Sequence, residues 1–306
     1  MIKEKSRKLM VLSVFCFFLL TSIGIKSLCS QRNSEELELV VKAYEYQSSV
    51  VKNMIIEGKV YYKSLSSIGE DREKSRFKLI RERDKKLVKE SSGIEGAYFT
   101  KVFYDKKSGK VTEYSEFPSS HGISRNGIID FLDDRYERFR FQDIVGEIRI
   151  GDKRLLDLLQ HENANVSSTH ENLNGTFCWV VEGYYKGNPK LEYKVWVDPE
   201  IGFMPRFVKI GRQKMFSFEM KFVNYKEIYP KVWFPINLET KFMSPTSQTM
   251  KLSSKDTITV PATTYSAYIV TSAKVNSGLP SETFKMTFPS GTEVNDRIAG
   301  IYYTIP

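Results

Sequence analysis

The feature that most constrains this chain is a nearly unbroken succession of segments in which apolar and polar residues alternate with a period of two. Met54-Ile-Ile-Glu-Gly-Lys-Val-Tyr-Tyr62 opens the series, and Arg76 to Arg83 continues it, with Phe77 and Leu79 alternating with Lys78. Lys86 to Glu90, Ala97 to Tyr104 and Lys110 to Glu116 follow, the last entered through the turn Asp105-Lys-Lys-Ser-Gly109. A second series runs through Thr176 to Gly183, Leu191 to Val197, Met204 to Ile210, Met215 to Tyr225 and Leu238 to Met243, then Thr257 to Pro261, Ser266 to Val275 and Ile301 to Ile305. A period of two puts successive side chains on opposite faces of a strand. Enrichment in Tyr, Phe and Val also favours strands over helices. Strand following strand through short turns predicts mostly antiparallel pairing.

Helical spacing is confined to three places. Glu35 to Val51 carries Leu37, Val40, Val41, Tyr44 and Ser48 at spacings of three and four, with Ser34 as cap and Glu35 and Glu36 in the first turn. Gly127 to Phe139 and Asp152 to His161 read as two short helices, the second buried through Leu155, Leu156, Leu158 and Leu159. The pattern therefore predicts an α+β fold, mostly antiparallel β, with a long curved sheet and a small helical layer. No Pro-, Ser- or Gly-rich linker divides residues 30–306, which read as a single domain. Ser244 to Ser254 reads as a long hairpin loop, with a weak domain boundary as the other reading.

The first residues carry a different message. Lys3, Lys5, Arg7 and Lys8 precede the apolar run Leu9 to Leu20, which ends at Thr21, Ser22 and Gly24. Such a basic head, short apolar run and small-residue exit make a secretory signal, here residues 1–29, with cleavage expected just after Cys29. Extended to Ile25, the run would instead serve as an uncleaved anchor. Cys29 invites lipidation, but Lys26 and Leu28 stand where an apolar and a small residue would be expected. The whole chain has a formal charge of +9; the leader's five bases and one acid leave an excess of five for the rest. That excess is spread out, and in its densest patch, Arg72 to Lys89, bases alternate with Glu73, Glu82 and Asp84, which argues against a nucleic-acid partner. Beyond residue 29 only Cys178 remains, so no internal disulfide can form there.

The sharpest local pattern is Tyr193-Lys-Val-Trp-Val-Asp-Pro-Glu-Ile-Gly-Phe-Met-Pro-Arg206. Tyr193, Val195 and Val197 share one side; Pro early and Gly late make the tight turn of a hairpin in which Asp198 bonds the turn backbone. A strand, a Trp-x-Asp-Pro-x-x-Gly turn and a strand through Pro-Arg resemble a hairpin of the outer-membrane lipoprotein-sorting class, similar to periplasmic lipoprotein carriers and the sigma-factor regulators of the same fold. The strand Met54 to Tyr61 after a helix, Gly175-Thr-Phe-Cys-Trp-Val-Val-Glu182, Tyr225-Lys-Glu-Ile-Tyr-Pro-Lys-Val-Trp-Phe-Pro235 and Phe284 to Asp296 fit the same order. The resemblance implies an unclosed half-barrel whose concave apolar side is covered by helices and, in the carriers, holds acyl chains. It implies a periplasmic or cell-envelope protein whose partners are a lipid or acylated lipoprotein, with an envelope protein as alternative partner and contact with a membrane surface.

Phe77, Leu79, Phe99, Phe103, Phe177, Trp179, Trp196 and Phe218 are the candidates for inward positions lining such a cavity. The bland reading of each is ordinary core. No nucleophile elbow, phosphate loop or Cys-His arrangement is present, so no catalytic residue, cofactor or metal is assigned. His161-Glu162 and His170-Glu171 could supply metal ligands, but nine residues of loop do not fix their geometry. The expected function is non-enzymatic binding of an acyl chain; an envelope sensor or assembly module with a filled core is the alternative.

Overall fold

The structure, a computed structural model, describes residues 35–64, 72–82, 85–92, 98–120, 122–131, 149–150, 153–161, 164–167, 170–186, 191–212, 215–251 and 257–306. The leader and the Ser34 cap lie outside these residues. A first helix, α1 (35–50), leads into six strands: β1 (Asn53–Ser64), β2 (Arg72–Glu82), β3 (Lys85–Ser92), β4 (Phe99–Asp105), β5 (Lys110–Ser119) and β6 (Gly122–Phe131). The middle holds β7 (Arg149–Ile150), β8 (Lys153–Arg154), a short helix of about two turns, α2 (Leu155–His161), and β9 (Asn165–Val166). Then come β10 (Glu171–Leu173), β11 (Thr176–Tyr185), β12 (Leu191–Asp198), β13 (Met204–Arg212), β14 (Met215–Tyr229), β15 (Val232–Lys251) and β16 (Thr257–Val275). Two short strands, β17 (Glu293–Asp296) and β18 (Ile301–Thr304), end the chain.

Sixteen strands form one sheet in the order β10-β11-β12-β13-β14-β15-β16-β1-β2-β3-β4-β5-β6-β17-β18, with β9 on β11. Among the described residues the two ends of this path do not pair, so the sheet is an unclosed half-barrel, as the lipoprotein-sorting resemblance implied. β1 closes the gap between the two meanders, pairing with β16 from Met54↔Val275 to Ser64↔Thr264 and with β2 on its other side. Among the described strands, only β17 runs parallel to a neighbour, β6.

Two expectations change. Residues 127–131 are strand, not the start of a helix, because Gly127, Ile128 and Ile129 pair with β5 on one side and β17 on the other; 132–139 lie outside the described residues. Ser244 to Lys251 belongs to β15, where a register shift after Met243 lets the strand continue against β16 down to Lys251↔Thr257.

The inner face carries the main core. Ile56, Leu79, Val111, Val181, Val195, Val197, Val208, Met220 and Leu238 are all at most 2% exposed, and Val40 and Tyr44 of α1 and Leu155 and Leu158 of α2 join them. At Gly58 a Cβ would lie 2.5 Å from the Ile269 carbonyl oxygen and 2.6 Å from the Phe77 ring. Glycine alone lets Phe77 lie flat against β1 at that bulge. The outer face is covered over β3–β6 by the segment 277–292, where Phe284 meets Phe103 at 6.1 Å and Phe288 meets Tyr114 at 6.3 Å, ring centre to ring centre.

Candidate functional site

The element best placed to bound a ligand site is α1, which spans the inner face. Its apolar stripe, Leu37, Val40, Val41 and Tyr44, belongs to the main core. The helix is pinned at its C-terminal end. Asn276 donates from Nδ2 to the Val50 carbonyl and accepts from the Lys52 amide, each at 2.8 Å, and its own amide bonds the Asn53 carbonyl at 3.0 Å. Tyr46 donates to the Pro230 carbonyl at 3.3 Å, and Gln47 to that of Gly202 at 3.5 Å. Along the rest of the helix apolar contact dominates, with Gln160 of α2 donating to Glu45 at 2.7 Å.

Beneath α1 lies the hairpin singled out in the sequence. Asp198, 1% exposed, accepts the Glu200 amide at Oδ1 (2.9 Å) and the Arg206 guanidinium at Oδ2 (2.9 and 2.8 Å). Gly202 takes the left-handed conformation at φ 67° that ends the short 3-10 turn Pro199–Ile201. Asp198 is thus a structural residue, holding the turn and Arg206 together, and Tyr193, Val195 and Val197 face the core as a set. Arg206 stacks on Tyr225, 5.0 Å from its ring, and the Tyr225 hydroxyl donates to the Pro205 carbonyl. Burial pushes the Tyr225 phenol well above its usual pKa, with Tyr44 adding to the shift. Tyr44 itself is shifted upward by burial, and its hydroxyl is enclosed with no hydrogen-bond partner among the described residues. A buried hydroxyl left in that state costs free energy. Sequence periodicity marked Tyr44 only as part of an apolar stripe.

At the N-terminal end of α1, His170 sits against Trp179 (5.4 Å, stacked) and Phe177 (5.0 Å), with Nε2 3.9 Å from Glu36. Its neighbour Glu171 points to the outer face, where it bonds Trp196 at 2.8 Å and Lys194 at 2.9 Å. The adjacent His170 and Glu171 therefore diverge and cannot serve one ion. The His161 side chain, Glu162 and His121 lie outside the described residues, among which no group of three or more metal-ligating side chains gathers.

The eight inward candidates separate. Phe77 and Leu79 are buried in the inner core; Trp179 and Phe218 pack against its margin, and Phe177 is 56% exposed. Register puts Phe99 and Phe103 on the outer face, opposite Ser91 and Leu87 of β3. Trp196 is outer as well, in a small cluster with Cys178, Val180 and Phe207. Burial, more than the carboxylates nearby, raises the Cys178 thiol to about 11, so it is no nucleophile. Two grooves lie on the outer side. One, of about 440 Å³, crosses β1–β4; another, of about 500 Å³, is lined by Leu173, Asn174, Arg206, Phe207 and Lys221.

No family model and no curated protein matches the sequence. Solved structures do match. The chain superposes on the crystal structure of a DUF1329 family protein from Desulfovibrio piger ATCC 29098 with a TM-score of 0.51 and 11% identity, covering 82% of this chain and 96% of that one. It also aligns with a putative outer membrane lipoprotein-sorting protein domain from Vibrio parahaemolyticus, with a TM-score of 0.39 and 12% identity, over 80% of this chain and 95% of the other. The first of these likenesses, at 11% identity, is one of fold alone.

Proposed function

We propose that this protein is a non-enzymatic, extracytoplasmic binder of a lipid or lipoprotein acyl chain, held on the inner face of the sheet beneath α1. One observation carries the reading: α1, the larger of the two described helices on a continuous apolar face, is pinned by Asn276 at one end and held elsewhere by apolar contact and a few side-chain hydrogen bonds. It lies over a Tyr44 hydroxyl with no hydrogen-bond partner among the described residues. A helix hinged in this way lifts by giving up the side-chain bonds of Tyr46, Gln47 and Glu45, two of them exposed to water and the third long, together with its apolar contacts. An acyl chain replacing it on the sheet gains about 0.8 kcal/mol per buried methylene. The carboxyl or ester oxygen of such a ligand would accept the Tyr44 hydroxyl. Export through the basic and apolar leader, residues 1–29, completes this reading and places the protein in the cell envelope.

Native mass spectrometry of protein recovered from the envelope fraction should show a hydrophobic adduct, and a fluorescent fatty acid should bind. Tyr44→Phe should keep the fold and weaken that binding. Protein that is consistently free of adduct and indifferent to fatty acids overturns the proposal. A second reading, an envelope sensor or assembly module with a filled core, is favoured by the complete burial of Val40, Ile56 and Val195. It predicts a protein partner recovered by crosslinking from cells, with no adduct.

A further inference from the structure

The last strand of the sheet is an edge left open. β18 pairs with β17 on one side, and among the described residues nothing pairs with it on the other. All of its residues are exposed, Ile301 at 54% and Tyr302 at 64%. Natural sheets ordinarily blunt such an edge with charge, proline or a bulge. No charged residue and no proline lies within 298–305, and the β17–β18 register is unbroken. The opposite edge, β10, is blunted: it is three residues long, and its Glu171 is bonded to Trp196 and Lys194.

The open groups follow from the ladder. Ile305 turns both its amide and its carbonyl to the β17 side, bonding the Thr292 carbonyl and the Gly291 amide at 2.9 Å each. Alternation along the strand turns Ile301 and Tyr303 the same way, and Tyr302 and Thr304 outward. This segment is nearly the same read in either direction about Tyr303: Tyr302 and Thr304 flank it, and Ile301 and Ile305 come next. A second copy related by a two-fold axis through Tyr303 sets Tyr302 against its Thr304, and each such pair exchanges two main-chain hydrogen bonds. The same axis sets Tyr303 against Tyr303 and Ile301 against Ile305 on one face, cross-strand pairs that hold antiparallel strands together. Register puts that face on the side of Val294 and Gly127, where Phe288 covers the sheet, so the apolar row continues across the axis. No charged side chain of the strand meets its own copy. An edge complementary to itself in hydrogen bonds, apolar side chains and charge fits a second copy of this chain.

We propose that two copies of this chain pair through β18, antiparallel and two-fold about Tyr303, joining their sheets edge to edge. A contact between strands this short falls below the roughly 1,000 Å² of a tight interface, so the dimer forms at high concentration. Sedimentation of the intact protein from about 5 to about 500 µM, the span of a weak interface, should show monomer passing to dimer. Tyr302→Pro removes an outward amide that the β17 ladder does not use. It should weaken the dimer at least about tenfold and leave the melting temperature unchanged. Tyr303→Lys, which sets two ammonium groups face to face, should also weaken it, with recovery as salt rises. The register has its own readout. Tyr303→Cys should cross-link to its copy on mild oxidation, because opposed Cα atoms stand about 4.5 Å apart in such a pair. Tyr302→Cys, set against Thr304, should cross-link no more than the wild type. Protein that stays monomeric throughout overturns the proposal, as does a dimer that both Tyr302→Pro and Tyr303→Lys leave intact. Larger assemblies, or equal cross-linking of the two cysteine variants, overturn the two-fold arrangement.

Discussion

Asp198 shows how much one side chain can decide. It is buried, caps a turn and neutralises a guanidinium that is itself three-quarters covered. Asp198→Ala strands Arg206 beside Tyr225 and should cost about 3 kcal/mol in urea unfolding; Asp198→Asn, which keeps the turn bond, should cost less. Glu171 offers a pH signature. Hydrogen bonds from Lys194 and then Trp196 hold its carboxyl below the ordinary glutamate value of 4.5. A carboxyl with a depressed folded pKa binds fewer protons than in the unfolded chain, so its stabilisation is present above that ordinary value and lost as pH falls through the folded one. Glu171→Gln should therefore melt earlier than the wild type at neutral pH, with the gap closing in acid. The hairpin was legible in the sequence because Pro, Gly and Asp mark a turn by their own backbone chemistry. The side of the sheet that an aromatic residue faces was not. Alternation says that Phe77 and Phe99 alternate with their neighbours, but over β3–β6 the outer face is covered as well as the inner one, so an apolar residue there finds burial on either.

At the level of elements, periodicity located the first helix and most of the strands. It failed at β6, where Ile128, Ile129, Leu132 and Tyr136 mimic helical spacing although Ile128 and Ile129 point to opposite faces. It also missed β17, four residues long and held only by its neighbours. The segment 277–292 was invisible as a cover because its apolar residues, Phe284 and Phe288, are isolated in a polar stretch. Phe288 occupies the space above Gly127, where a Cβ would come within 2.8 Å of its ring. Phe288→Ala should cost about 2 kcal/mol, less than a fully buried ring would, because Phe288 is only half-buried. It should also raise binding of a hydrophobic dye to the uncovered Phe103 and Tyr114. Unchanged melting would show that the segment merely lies on the sheet.

For the molecule as a whole, the sheet order sets a gradient of protection. β16, β1 and β2 lie in the middle with ladders on both sides, whereas β10 and β18 are edges and every residue of β18 is exposed. Amide exchange should be slowest at Ile56, Val60 and Leu79 and fastest at Tyr302 and Tyr303; uniform exchange would contradict a continuous sheet. No helix among the described residues is long and apolar enough to cross a membrane.

The pairing of β1 with β16 also has a consequence in time. Synthesis delivers β1 first, and its second partner arrives only after Thr264 to Val275 has been made, more than two hundred residues later. Until then β1 presents an open row of amides and carbonyls to any strand nearby. Contacts this distant in sequence form slowly, so a half-made chain is a string of hairpins with a sticky margin. Whatever escorts this protein from the ribosome has that one margin to guard.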